Sequence, residues 1–261
     1  MPEIPQGAVS GESIVKYYLR VRTTQQLNTA ISWGRAHALL LDGALAEAPV
    51  KDIPDGVQQY VCLPDVARQS RLRRIENLLQ SLPEGTGVVV RNLDELGMLQ
   101  QMAYQGTVIG DSFLYAYNSQ AIAFYSELFP GMRFIGSDEL TVQELRSLEV
   151  EKDRMILKVY GCQPLMISNQ CLNRNYSECR EQKRFFSGNR GEPFFVQSSC
   201  SQCYSTVFNG VCTWLGGRPE LDAFENVLYD FTGETPGEMQ AILEQGRPRA
   251  FTRGHFEKGI E

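Results

Sequence analysis

The chain has 261 residues, 43 % hydrophobic and 21 % charged, a balance that supports a sizeable core in one large domain or two small ones. Its net charge of -6 argues against a broadly basic nucleic-acid surface, and no run of about 18 apolar residues is present to form a transmembrane helix. The start, MPEIPQGAVSGES, is polar and lacks the apolar centre of a signal peptide, so a cytoplasmic location is expected.

Residues 1–15 read as an arm or linker rich in Pro, Gly and Glu, and residues 16–261 as one barrel-type domain. A strand is expected at Tyr17–Arg22, followed by a helix that Thr23 or Thr24 caps and Gly34 ends. Ala38–Leu41 (ALLL) is apolar without alternation, as in a strand buried on both faces. Gln59–Leu63 is the next strand, and Asp65 opens a helical period through DVARQSRLRRIENLLQSL. Gly87–Val90 (GVVV) leads to a helix with Asn92 as its N-cap. Thr107–Gly110 with Phe113–Tyr117 reads as strand, and a helix capped by Asn118 or Ser119 follows. Met132–Ile135 precedes a helix with a capping box, Thr141 and Glu144. Met155–Tyr160 and, much later, Val227–Phe231 complete eight strand positions. Eight βα units favour a closed (β/α)8 TIM-barrel-like α/β fold over an open doubly wound sheet.

Residues 162–215 interrupt this rhythm. They form a cysteine-rich insertion before the last strand, in which FFSGNRGEPFFV reads as a β-hairpin turned at Ser187–Gly191. Because Met155–Tyr160 leads straight into it, the insertion should lie on the C-terminal face of the barrel, where sites accumulate. Cys171, Cys179, Cys200 and Cys203 fall at spacings C-x7-C-x20-C-x2-C, within 33 residues. A CxxC puts two sulfurs within reach of one metal, and two more thiolates complete a tetrahedral set. Zinc and an iron–sulfur cluster use the same ligands, and spacing does not separate them. A redox dithiol at Cys200 and Cys203 lacks the βαβ context such motifs have.

The segments VYGCQPLMISNQC and FFVQSSCSQCYSTVFNGV resemble the cysteine-bearing region of the peptidase U32 family, the collagenase-like proteins. GVVVRNLDELGML, GDSFLYAYNSQAI, FIGSDELTVQEL and the tail TRGHFEKGIE resemble further blocks of that family in order. The resemblance is best over residues 85–261, while residues 16–80 are similar as βα units to the second, C-terminal barrel of long bacterial members. It implies one of two activities. The family is named for proteolysis, but it includes oxygen-independent hydroxylases of RNA or of a quinone precursor. In these, four cysteines hold a [4Fe–4S] cluster and prephenate is implicated as hydroxyl donor. On that pattern Cys171, Cys179, Cys200 and Cys203 are the ligands, and Cys162 and Cys212 are extras that could exchange in. The partners implied are RNA, a protein or peptide substrate, or a preceding catalytic barrel of the same family. No catalytic base is assigned.

A non-catalytic module with a structural zinc site would use the same four cysteines. A common zinc peptidase is excluded by ligand supply, since the chain has only His37 and His255 and no HExxH. His37 reads as a packing residue and His255 as a loop residue. Ser137 with Glu139 is either a site at a strand end or a helix-start turn, and Asn118 either binds substrate or caps a helix. Cys62 lies in a strand and reads as a core thiol. The arginines of Arg68–Arg74 suit a solvated helix face, and RNYSECREQKRFF, basic with interleaved aromatics, suits an RNA backbone near the site.

Overall fold

The computed structural model of the chain describes residues 15–47, 50, 53–66, 72–170, 183–200 and 203–258. The expected N-terminal arm lies outside these residues but for Val15. Seven strands come first: β1 (Lys16–Val21), β2 (Ala36–Leu41), β3 (Gln58–Cys62), β4 (Gly87–Val90), β5 (Val108–Gly110), β6 (Arg133–Ile135) and β7 (Met155–Gly161). Between them run α1 (Thr24–Trp33), α2 (Leu72–Ser81), α3 (Leu93–Gln101), α4 (Ser119–Leu128) and α5 (Val142–Ser147). An insertion follows, with β8 (Pro164–Ser168), β9 (Lys183–Ser187), β10 (Pro193–Ser199) and β11 (Tyr204–Asn209). The chain returns through β12 (Thr213–Trp214), β13 (Asn226–Asp230) and α6 (Pro236–Gln245).

Strands β1 to β6 pair parallel in order, β6 pairs with β7, β7 with β13, and β13 with β1. That closes an eight-stranded parallel barrel with helices outside, as the eight βα units required. The helix starts follow the caps in the sequence. Thr23 accepts from the Gln26 N–H, Asn92 from Glu95 and Asn118 from Ala121, while Gly34 ends α1 at φ 69°. Thr141 with Glu144, and Thr235 with Glu238, form complete capping boxes. Asn118 is thus a cap.

Two expectations are corrected. Phe113–Tyr117 is not strand. The Asp111 carboxylate accepts the Ser112 N–H at 2.7 Å and starts a short 3-10 turn, Ser112–Leu114, which Tyr115 ends in the left-handed region at φ 53°. The helical period from Asp65 yields a helix only at Leu72–Ser81 among the described residues, because Asp65 and its neighbour sit in a bend at the barrel mouth. The hairpin around Ser187 is present as β9–β10, and the insertion is more regular than expected: a four-stranded antiparallel sheet ordered β8-β11-β10-β9.

The barrel interior is layered. Tyr18, Leu40, Val89, Ile109, Ile135, Ile156 and Leu228 are buried in one apolar cluster, with strand after strand contributing to the layer. Two residues further along each strand, the side chain points inward again. Those positions are Arg20, Asp42, Arg91, Asp111, Ser137, Lys158 and Asp230, all buried. The same alternation that fills the barrel with hydrocarbon therefore sets a polar ring on top of it, at the C-terminal ends of the strands.

Candidate functional site at the barrel mouth

The polar ring is an ion lattice. Arg20 meets Asp111 at 2.6 Å and Asp230 at 3.1 Å, and Arg22 meets Asp230 at 2.6 Å and Asp42 at 3.1 Å. Arg91 spans Asp42 at 2.6 Å, Asp65 at 2.7 Å and Asp111 at 3.2 Å. Lys158 pairs with Asp138. Burial alone would neutralise these groups, but each is held by an opposite charge. Burial opposes ionisation of Asp230, yet Arg22, Arg20 and Lys158 outweigh it and hold the carboxyl down to about 2. Asp42 is lowered likewise by Arg91, Arg22 and Arg20 against its burial. Asp65 is the exception: burial wins over Arg91, and its pKa rises.

The covering sheet lies directly over this lattice. Gln197, Ser199, Tyr204, Thr206 and Phe208, from one face of β10–β11, enclose a cavity of ≈ 50 Å³ with Arg20, Arg91, Asp111 and Asp230. That volume admits a water or two and no aromatic ring. Gln197 Oε1 and Arg20 Nε are buried there without a hydrogen-bond partner among the described residues. The Asp65 N–H donates to the Tyr204 hydroxyl at 3.3 Å and ties the sheet to the end of β3.

The CxxC sits at this junction. Cys200 follows β10, Cys203 precedes β11, and the ladder closes at Ser199–Tyr204, so the two cysteines flank the connection between these strands. Cys203 adopts φ 57°, the left-handed conformation that non-glycine residues avoid unless a tight turn requires it. Beside this connection opens a cleft of ≈ 260 Å³, lined by Asp42, Cys62, Pro64, Leu78, Ser199 and Tyr204. Burial pushes the Cys62 thiol up to about 12, with Asp42 adding to the effect, so it is a neutral wall residue and no nucleophile. The insertion therefore does lie on the C-terminal face, and Cys200 and Cys203 are brought to the mouth. Cys171 and Cys179 lie outside the described residues, as does most of RNYSECREQKRFF.

The extras are placed differently. Cys162 and Cys212 are joined in a disulfide beside Phe195 and Phe208. Phe195 stands four residues from Ser199 on β10, roughly 13 Å along the strand at ~3.3 Å per residue, so this pair does not exchange into a set with the CxxC. Ser137 accepts from the Glu139 N–H at 3.2 Å, which makes the pair a turn, although both also line a ≈ 320 Å³ cleft with Tyr115 and Tyr117. His37 is the second residue of β2, at the opposite end of the barrel, and packs on Tyr18. His255 is half-buried in the C-terminal segment. Arg74 pairs with Glu47 at 2.7 Å on an exposed face, as a solvated helix would. Among the described residues, no helix is long and apolar enough to cross a membrane.

The ion lattice was missed in the sequence although its signal is present. Five of the eight strand runs end in a charge: LRVR, LLLD, VVVR, VIGD, LYD.

A family model described as Peptidase family U32 matches residues 35–208. No curated protein matches the chain.

Proposed function

The chain belongs to peptidase family U32, and from that premise we propose that it is a hydroxylase-type enzyme built on a four-cysteine iron–sulfur site at the barrel mouth. Cys171, Cys179, Cys200 and Cys203 would hold a [4Fe–4S] cluster, and the substrate would present an aromatic ring, from RNA or from a small molecule. The observation that carries this reading is the placement of the CxxC. It offers two soft sulfur donors at the end of the β10–β11 ladder, beside the ≈ 260 Å³ cleft and above the charged mouth. Thiolates at this spacing suit iron–sulfur chemistry and equally a zinc ion.

When bound, the cluster supplies electron transfer or activation of an oxygen-bearing donor. The chain's own residues supply the rest. Tyr204 and Ser199 wall the cleft, and the neutral Cys62 and apolar Leu78 leave its inner surface without a competing nucleophile. Gln197 Oε1 and Arg20 Nε offer one acceptor and one donor for a polar group or a water of the reacting complex. The ion lattice beneath fixes the floor in place.

A peptidase is the second reading, favoured by the name of the family. The test is oxygen insertion under anaerobic conditions. The protein is incubated with cellular RNA and with small phenols plus a hydroxylated carboxylic-acid donor, and products are read by mass. A gain of one oxygen that disappears in Cys203→Ala supports the proposal. Unmodified RNA and phenols together with cleavage of denatured collagen, retained in Cys203→Ala, would replace it with the peptidase.

A further inference from the structure

The second cysteine pair has surroundings that a static crosslink does not need. Glu234 follows the last strand, β13, and its carboxylate Oε1 lies 3.9 Å from Cys212 Sγ, at the outer reach of a hydrogen bond from a thiol, a weak donor. The two sulfurs and the carboxylate all lie within 4.8 Å of one another. Glu234 is held in that position. Tyr160 donates to its Oε1 at 2.8 Å, and the Gly233 N–H donates to its Oε2 at 2.9 Å. Lys183 shares the same wall. It stands 3.8 Å from the Phe195 ring centroid and so close to Gly233 that a β-carbon there would meet its Nζ at 2.7 Å. The two residues are unequal in exposure: Cys162 is buried at 3 %, whereas Cys212 is half-buried.

We propose that Cys162 and Cys212 form a reversible dithiol–disulfide couple, with Glu234 as its resident proton acceptor and small thiols or their disulfides as its reaction partner. In the reduced state Cys212 S–H donates to Glu234. On oxidation Glu234 takes that proton, and the Cys212 thiolate attacks one sulfur of a small disulfide and expels a thiolate. Cys162 then attacks Cys212 Sγ in the mixed disulfide. The second small thiolate leaves, and two protons, one from Glu234 and one from Cys162, convert both leaving groups to thiols. Two electrons pass from the protein to the small disulfide. Reduction runs the same steps backwards, with entry at the more accessible Cys212.

The couple has a structural consequence. Cys162 directly follows β7, and Cys212 directly precedes β12, so the bond closes the insertion at its root. The sheet that covers the ion lattice and carries the CxxC is anchored by it. The inference does not depend on the metal reading, because the two pairs lie at opposite ends of β10–β11.

The test uses the full chain. Protein is equilibrated in buffers of graded reduced-to-oxidised glutathione ratio, alkylated, and read by mass with Cys162 and Cys212 located by fragmentation. Both should gain label together in one transition and lose it together when oxidised glutathione is restored. Glu234→Gln should form the same bond and re-oxidise at least tenfold more slowly, and Tyr160→Phe should slow re-oxidation by a smaller factor. A pair that stays closed in folded protein under excess reduced glutathione would overturn the proposal. So would re-oxidation of Glu234→Gln at the wild-type rate, or a stoichiometric metal that is lost in Cys212→Ser and retained in Cys200→Ala.

Discussion

Every strand of the barrel has a parallel neighbour on both sides, whereas the sheet above it, among the described residues, ends in two edge strands, β8 and β9. The barrel hides its charges and pairs them at its mouth. The cover exposes apolar side chains, Phe185 at 73 % and Met166 at 54 %, and places a cysteine pair at each end of its central hairpin. The difference separates two tasks. The barrel holds the fold, and its ion lattice is one cooperative unit in which a missing partner strands a buried charge. Ties that join the cover to it include the Asp65–Tyr204 contact and the Cys162–Cys212 bond. Changes in the barrel should therefore move stability, and changes in the cover should move chemistry.

The largest effect is expected at Arg91, which bridges three carboxylates. Arg91→Ala should lower stability by about 3–5 kcal/mol in denaturant titration, because Asp42 and Asp111 lose a buried counter-ion. A loss under about 1 kcal/mol would show that the lattice is not the barrel's keystone. Acid should act on the same lattice next. Asp230 has its folded pKa depressed to about 2 from 3.8, so its contribution is complete above about pH 4 and disappears as pH falls toward 2. That contribution is about 2 kcal/mol, and Asp230→Asn should flatten the acid limb of a melting-temperature profile. Thr235→Ala, which removes the cap of α6, should cost about 1 kcal/mol in a thermal melt. Phe185→Ser in the cover should change stability by less than about 0.5 kcal/mol. A large loss there would mean that the cover is integral to the core.

The same division governs what could be read from the sequence. All eight barrel strands were legible because short apolar runs between capped helices have few alternatives, and Thr23, Asn92 and Thr141 cap where their spacing requires. Phe113–Tyr117 misled because its aromatic content signals strand, while the deciding feature is the Asp111 carboxylate turning the chain one residue earlier. The CxxC was legible because its two cysteines are close in sequence. The Cys162–Cys212–Glu234 group was not. Its members are separated by 50 and then 22 residues, and only barrel closure brings β13 beside β7. The inward ring of charges lay between these cases, visible as a charge two residues after most interior apolar positions but meaningful only once a closed barrel is assumed.

The central claim is that the CxxC end of the hairpin holds a four-cysteine cluster and the other end does not. Iron and acid-labile sulfide should be measured on protein purified without oxygen, for the native chain, Cys200→Ala and the double variant Cys162→Ser/Cys212→Ser. The account predicts about four iron and four sulfide per chain in the native protein and the double variant, and neither in Cys200→Ala. A colourless native protein with about one zinc, or iron that survives Cys200→Ala and is lost in the double variant, would contradict it.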